Sequence, residues 1–243
     1  MLTVDFDRFP VGPGDRVLDM GCGGGRHAFA LLRRGAHVIA LDMDPAELKD
    51  VAGMFTAMQQ EGEVPAGASA GAVRGTAYAL PFAAASFDYV VCSEVLEHLL
   101  EDSRAMAELT RVLKPGGLIA VTVPRWGPEL VCWALSSAYH EAEGGHVRIY
   151  RGSELIRRLT AVGLEPVDTH HTHALHSPYW WLKCAVGVTD GDNPAVKAYH
   201  RLLVWDMMRA PKLTRLTEKL LDPLIGKSLV VYLRKPEPAR AFA

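Results

Sequence analysis

Asp19-Met20-Gly21-Cys22-Gly23-Gly24-Gly25 packs one carboxylate and a run of glycines into a single turn, and a second carboxylate, Asp42, closes the next apolar run. Glycine lets the backbone bend sharply and approach a ligand with no Cβ in the way. An acid at the end of the second strand of such a unit can hold a ribose diol. The chemistry within reach is therefore capture of a nucleoside-bearing ligand. A dinucleotide fingerprint would need a third glycine three residues after Gly23, where Arg26 stands. It also seldom carries an acid at the position of Asp19.

A second set of residues points to a different chemistry. In Glu94-Val95-Leu96-Glu97-His98, a helical turn would put Glu94, Glu97 and His98 at i, i+3 and i+4, on one face. Two carboxylates and an imidazole so placed chelate a divalent cation, and His146, far along the chain, supplies a fourth ligand from across a pocket. Two oxygens and two nitrogens with open positions suit Mg²⁺, Mn²⁺, Fe²⁺ or Zn²⁺. The alternative is metal-free: the glutamates then favour a helix start by charge alone, and His146 or His98 is the candidate catalytic base. His170, His171, His173 and His176 form a further cluster, in which strand alternation puts His171 and His173 on one face. A second metal site is one reading of it; satisfied or solvent-facing rings are the simpler one.

These residues need a scaffold that brings strand ends together. Short apolar runs alternating with helical patterns give an α/β sheet. Strands are expected near 16–20, 36–41, 71–74, 87–92 and 118–123, with helices over 26–34, 46–60 and 102–113. The last helix should stop at Lys114-Pro115-Gly116-Gly117, since proline breaks a helix and glycine permits the turn. Residues 62–71, rich in Gly, Ala, Pro and Ser, read as a mobile surface loop. Beyond Pro124 the pattern is less regular. A helix over 153–161 and a strand over 164–169 precede an insertion at 175–224 of two or three helices, and 228–233 forms a final strand. One domain is expected, its core at about 14–170 and 227–235. Tyr179, Trp180, Trp181, Trp205, Met207 and Met208 in the insertion read as ordinary core, or as the wall of an apolar pocket or a homodimer face.

Composition sets the outer bounds. The chain has 243 residues, about half of them apolar, which suffices for a core without metal or disulfide staples. A formal net charge of −2 gives no broad attraction to nucleic acid or anionic lipid. Four scattered cysteines without a CxxC pair suit a reducing compartment. The first residues carry neither a basic start nor an apolar signal region, and no apolar run is long enough to span a bilayer, so a cytoplasmic location is expected.

Asp19-x-Gly21-x-Gly23-x-Gly25 resembles the first motif of class I S-adenosylmethionine-dependent methyltransferases. The likeness continues in Gly75-Thr76-Ala77-Tyr78-Ala79-Leu80-Pro81-Phe82, in Ser86-Phe87-Asp88-Tyr89-Val90-Val91-Cys92-Ser93, and in Arg111-Val112-Leu113-Lys114-Pro115-Gly116-Gly117. Together these resemble the ubiquinone/menaquinone-biosynthesis branch. The resemblance implies a Rossmann-like sheet of about seven strands with helices on both faces, the last strand antiparallel, and a helical insertion before it that covers the acceptor pocket. It implies S-adenosylmethionine as cofactor, with Gly21, Cys22 and Gly23 against the methionine part and Asp19 near its ammonium. Asp42 would take the ribose hydroxyls, Met43 would pack on the adenine, Ala77 would offer backbone to its edge, and Ser93 would sit beside the methionine. Thr76 departs from the aspartate usual there, which either weakens the adenine amino contact or moves it to the hydroxyl. Glu94-x-x-Glu97-His98 with a distant histidine is similar to two metal-dependent groups, the small-RNA 3′-terminal 2′-O-methyltransferases and the ubiquinone-pathway catechol O-methyltransferases.

The expected function is O-methylation of a hydroxyl on a small or amphipathic metabolite, with a divalent metal as assistant. No basic stripe with interleaved aromatics is present, which argues against nucleic acid as the acceptor. Metal-free methylation of carbon or nitrogen, and a non-catalytic protein that binds the cofactor, are the other readings.

Overall fold

The computed structural model describes residues 2–141, 145–188 and 192–238. Five strands, β1 (Arg16–Met20), β2 (His37–Asp42), β3 (Ser69–Arg74), β4 (Phe87–Ser93) and β5 (Leu113–Pro124), run parallel. Two more, β6 (Glu165–Thr172) and β7 (Ser228–Arg234), complete the sheet in the order β3-β2-β1-β4-β5-β7-β6. β7 is antiparallel to both its neighbours. Parallel strands covered on both faces need apolar side chains on both sides; Val17 and Leu18, and likewise Val90, Val91 and Cys92, are all buried. Residues such as Leu18, Met20, Met106 and Leu109 fill the core on one face, and Val17, Leu31, Val38 and Phe55 that on the other.

The helices α1 (Arg26–Arg33), α2 (Pro45–Gln60) and α3 (Asp102–Val112) connect the parallel strands. α2 starts where the sequence says it should, because Asp44 accepts from the Ala46 N–H at 2.8 Å and Pro45 occupies the first helical position. Strand order reverses between β1 and β4, so the carboxyl ends of these two strands open a crevice. That is the place where open α/β sheets bind ligands. Asp19, Asp42 and Glu94 all lie on or just beyond strands at this edge.

Several boundaries differ from expectation. α3 passes directly into β5 at Leu113, so Lys114-Pro115-Gly116-Gly117 lies inside the strand rather than in a separate turn. Its Gly116 N–H donates to Lys235 O at 2.8 Å, which draws the segment into pairing with the chain's later part. β3 starts at Ser69, inside the stretch read as a surface loop. After β5 come α4 (Trp126–Leu135) and α5 (Ser137–His140), where no helix was expected, and then α6 (Gly152–Ala161). The segment 175–224 holds three helices, α7 (His176–Val186), α8 (Pro194–Arg209) and α9 (Lys212–Ile225). Trp181 is tied down through its indole N–H, which donates to Pro128 O at 3.0 Å. Trp205, Met207 and Met208 are exposed instead of lying in the core, Met208 by 80%. No helix of the described residues is long and apolar enough to cross a membrane.

Candidate functional site

The glycine turn is fixed to the end of β2. Gly21 and Cys22 both donate their N–H to Leu41 O, at 2.8 and 3.0 Å. Gly23 N–H donates to Asp42 Oδ2 at 2.9 Å, and Asp44 N–H to Asp42 Oδ1 at 3.0 Å. Each carboxylate oxygen keeps lone-pair capacity toward the crevice. Gly21 has φ +69°, and a Cβ there would come within 2.3 Å of the Val95 side chain. A Gly21→Ala variant is therefore expected to lose about 2 kcal/mol of stability from left-handed strain and the displaced valine, together with most of its affinity for S-adenosylhomocysteine. A urea melt and a calorimetric titration read the two effects.

Two cavities flank this turn and share Gly21, Gly23 and Glu94 as walls. The first, about 290 Å³, is lined by Leu41, Asp42, Met43, Ala77, Val95 and His98 among others. It is a mostly apolar slot with two carboxylates, Asp42 and Glu94, in its walls, which fits a purine and its ribose. Met43 is 62% exposed on the rim, a lid that a flat base would cover. The second, about 340 Å³, is polar, with Cys22, Gly24, Arg26, His27, Ser93 and Glu94. A guanidinium beside backbone N–H groups at a helix start suits an amino-acid carboxylate. Arg26 entered the sequence reading only as a break in the dinucleotide pattern; its position at the first residue of α1 was the available signal. Ser93 Oγ lies 2.9 Å from Thr122 Oγ1 and 3.5 Å from Arg26 Nη2.

Asp19 and Thr76 are engaged within the protein. Asp19 is buried beneath the turn and accepts from Ala28 N–H at 2.9 Å, which caps the first turn of α1. Burial pushes its carboxyl up to about 7, against the pull of that N–H and of Arg26. Thr76 Oγ1 accepts from Tyr78 N–H at 3.3 Å. Burial drives the Cys22 thiol up to about 12, so it is an inert wall. His27 accepts from Thr3 N–H at 3.2 Å and Val4 N–H at 3.4 Å through Nε2, which pins the first residues over the polar end.

Glu94, Glu97 and His98 do not share a helical face. Glu94 adopts φ +56°, and only Leu96–His98 form a 3₁₀ turn. The left-handed step turns the Glu94 side chain toward β5, where Oε1 accepts from Thr122 Oγ1 at 2.8 Å. Ligand atoms of Glu97, His98 and His146 lie within 4.8 Å of one another, and Glu94 is not part of that group. Glu97 is 1% exposed, and neither of its carboxylate oxygens has a hydrogen-bond partner. Burial, reinforced by the Glu94 charge, holds its carboxyl well above the usual range. An orphaned buried carboxylate is costly unless a cation or a proton compensates it.

Both imidazoles are held through Nδ1. His98 Nδ1–H donates to Gly145 O at 3.2 Å, since a carbonyl can only accept. His146 Nδ1–H donates to Glu129 Oε1 at 2.5 Å. Burial alone would raise the Glu129 carboxyl, but the bond and charge of His146, with Lys227 and the Trp133 indole, bring it below its ordinary value. In the neutral form of each ring, donation from Nδ1 leaves Nε2 with its lone pair. This is how a carboxylate or carbonyl orients a metal-ligating or basic histidine. Glu129 went unnoticed in the sequence because it lies on α4. Tyr139 also donates to Glu129, at 3.3 Å, and its ring meets both His146, at 5.8 Å, and Trp180 of α7, at 5.8 Å. The insertion thus contributes an aromatic wall beside the histidines.

Residues 18–121 match a family described as a methyltransferase domain. A ubiquinone biosynthesis O-methyltransferase from Hahella chejuensis is 37% identical over 139 residues, which cover 56% of this chain and 55% of that protein. Its counterpart from Xanthomonas campestris is 35% identical over 176 residues, 71% of this chain and 62% of that protein. The chain thus spans between about half and two thirds of the length of these curated relatives. The solved structure of a SAM-dependent methyltransferase from Methanosarcina mazei aligns with 98% of this chain and all of its own, at a TM-score of 0.64 and 18% identity. The sheet and its helices therefore have the Rossmann-like fold of S-adenosylmethionine-dependent methyltransferases.

Proposed function

We infer, for a chain that carries a methyltransferase domain on a Rossmann-like methyltransferase fold, that it is an S-adenosylmethionine-dependent methyltransferase that transfers the methyl group to oxygen. The acceptor is a hydroxyl of a small or amphipathic metabolite, in keeping with the O-methyltransferases it is similar to and with the aromatic wall at Tyr139 and Trp180. Four buried free cysteines accord with action in the cytoplasm.

S-adenosylmethionine supplies a methyl group on an already positive sulfur, so the protein's task is alignment, exclusion of water and removal of the acceptor's proton. In this reading the apolar slot holds adenosine, with Asp42 on the ribose diol, Met43 over the base and the Ala77 backbone at its edge. Arg26 takes the methionine carboxylate, and Ser93 and the Gly21-Cys22-Gly23 backbone line the methionine chain. Asp19, from below, balances the ammonium. His98 stands where the adenosine slot meets the histidine cluster, which sets the reacting oxygen beside the methyl donor.

The orphaned Glu97 carboxylate carries the proposal that the acceptor's proton is handled with metal assistance. Glu97 Oε, His98 Nε2 and His146 Nε2 would hold a divalent cation, which would lower the pKa of a bound hydroxyl and favour acceptors with neighbouring hydroxyls. Glu94, directed at Thr122, is assigned to positioning rather than to that set. The Glu129–His146 hydrogen bond supports a second reading, in which His146 is the base and no metal takes part.

Calorimetric titration of Mg²⁺, Mn²⁺ and Zn²⁺ into the protein saturated with S-adenosylhomocysteine separates the two. Loss of one bound equivalent in Glu97→Ala/His98→Ala, relative to wild type, is the expected result. Equal binding by both proteins, or none by either, would leave the histidine base as the reading.

A further inference from the structure

The histidines after β6 gather at a place remote in sequence from the cluster just described. His173 takes φ +67° as the chain leaves β6, and this step turns its ring inward. His176 opens α7, and Glu218 lies on α9. Each of the three offers a ligand atom, and these atoms lie within 4.8 Å of one another. The His173 and His176 rings meet edge-on with centroids 5.5 Å apart. His173 and Glu218 are 8% and 6% exposed. Nδ1 of both rings and Oε1 of Glu218 are buried without a hydrogen-bond partner.

The neighbours complete a ligand set instead of satisfying these atoms. His173 Nε2 lies 3.3 Å from Thr3 Oγ1. With Nε2–H donating to that hydroxyl, Nδ1 keeps its lone pair, and Thr3 is the outer partner that metal-bound imidazoles usually have. Arg215 takes only the other oxygen of Glu218, Oε2, at 3.0 Å, and is itself held by Asp206. Without a cation, one buried ligand atom on each of the three side chains has no hydrogen-bond partner. Glu218 also lines a groove of about 450 Å³ with Asp5, Arg8, His171 and Asp222, which gives an ion a way in.

We propose that His173, His176 and Glu218 form a zinc site that clamps α7 and α9 to the end of β6. Two imidazole nitrogens and one carboxylate oxygen make a zinc set with a fourth position for water, whereas Mg²⁺ or Ca²⁺ would require an oxygen shell. The site shares no residue with the Glu97 cluster, and it does not depend on the methylation reading. Its role is to hold the helical insertion against the sheet.

The test uses the full chain with His98→Ala and His146→Ala, which removes both imidazoles of the other cluster. After chelation and dialysis it is titrated with Zn²⁺ by calorimetry and by thermal melting. One equivalent should bind and raise Tm. Adding His176→Ala or Glu218→Gln should weaken binding by roughly 100-fold or more and abolish the rise in Tm, a larger loss than an outer partner gives. His171→Ala, on β6 beside the cluster, should leave both unchanged. Absence of binding in the His98→Ala/His146→Ala protein, or binding that His176→Ala and Glu218→Gln do not alter, would overturn the site. Should these variants not fold, X-ray absorption on the zinc-loaded His98→Ala/His146→Ala protein decides. Imidazole scattering in the first shell supports the site, and its absence refutes it.

Discussion

His146→Ala should cut turnover of a dihydroxyaromatic acceptor by about 10²–10⁴-fold while S-adenosylhomocysteine affinity stays within about twofold of wild type. The asymmetry follows from where the ring stands. His146 lines neither of the two cavities that flank the glycine turn, yet its Nδ1 is held by Glu129 at 2.5 Å and its ring packs 4.9 Å from that of His98. Both proposed chemistries, metal ligation and general base, use the Nε2 lone pair that this hydrogen bond exposes, so alanine removes either. Steady-state rates and calorimetry on the same preparations check the split. A near-normal rate would take His146 out of both roles.

Asp42→Ala should act in the opposite sense, weakening S-adenosylhomocysteine by roughly 100-fold or more and shifting unfolding free energy by about 1 kcal/mol. Two hydrogen bonds from ribose hydroxyls to an ionised carboxylate account for the first figure. The second is small because Gly21 and Cys22 remain anchored on Leu41 O when the Gly23 contact is lost. Calorimetric titration together with a urea melt measures both. Unchanged affinity would refute the ribose assignment of Asp42, and a collapse of stability would show that its main part is in the loop.

The parallel half of the sheet was legible because its strands are apolar on both faces, and a run such as Val17-Leu18 or Val90-Val91-Cys92 has few other uses. The glycine turn was legible because glycines at fixed spacing, with an acid before them and another after the next strand, satisfy one backbone geometry. What escaped did so for physical reasons. α4 reads Trp-Gly-Pro-Glu-Leu-Val-Cys-Trp-Ala-Leu, apolar around most of its circumference, so no polar face marks it as a helix. With α4 hidden, the pairing of Glu129 with His146 had no visible basis. The shared face expected of Glu94, Glu97 and His98 assumed right-handed backbone throughout, and one left-handed residue, Glu94, removed it. Trp205, Met207 and Met208 looked like core because composition does not reveal which side of a helix meets the sheet.

The placement of β7 between β5 and β6 has a consequence for how the molecule is made. β6 pairs with β7 alone, in a register that joins Glu165 to Arg234 and Thr172 to Ser228. During synthesis β6 therefore has no partner until three helices and β7 have followed it, and β5 keeps an open edge for the same interval. Unpaired edges held for that long are templates for association between nascent chains. Closing the sheet is a late, long-range event of the kind that slows folding. The first five strands and their glycine turn can assemble earlier, so ligand-competent halves should precede the finished barrier to aggregation.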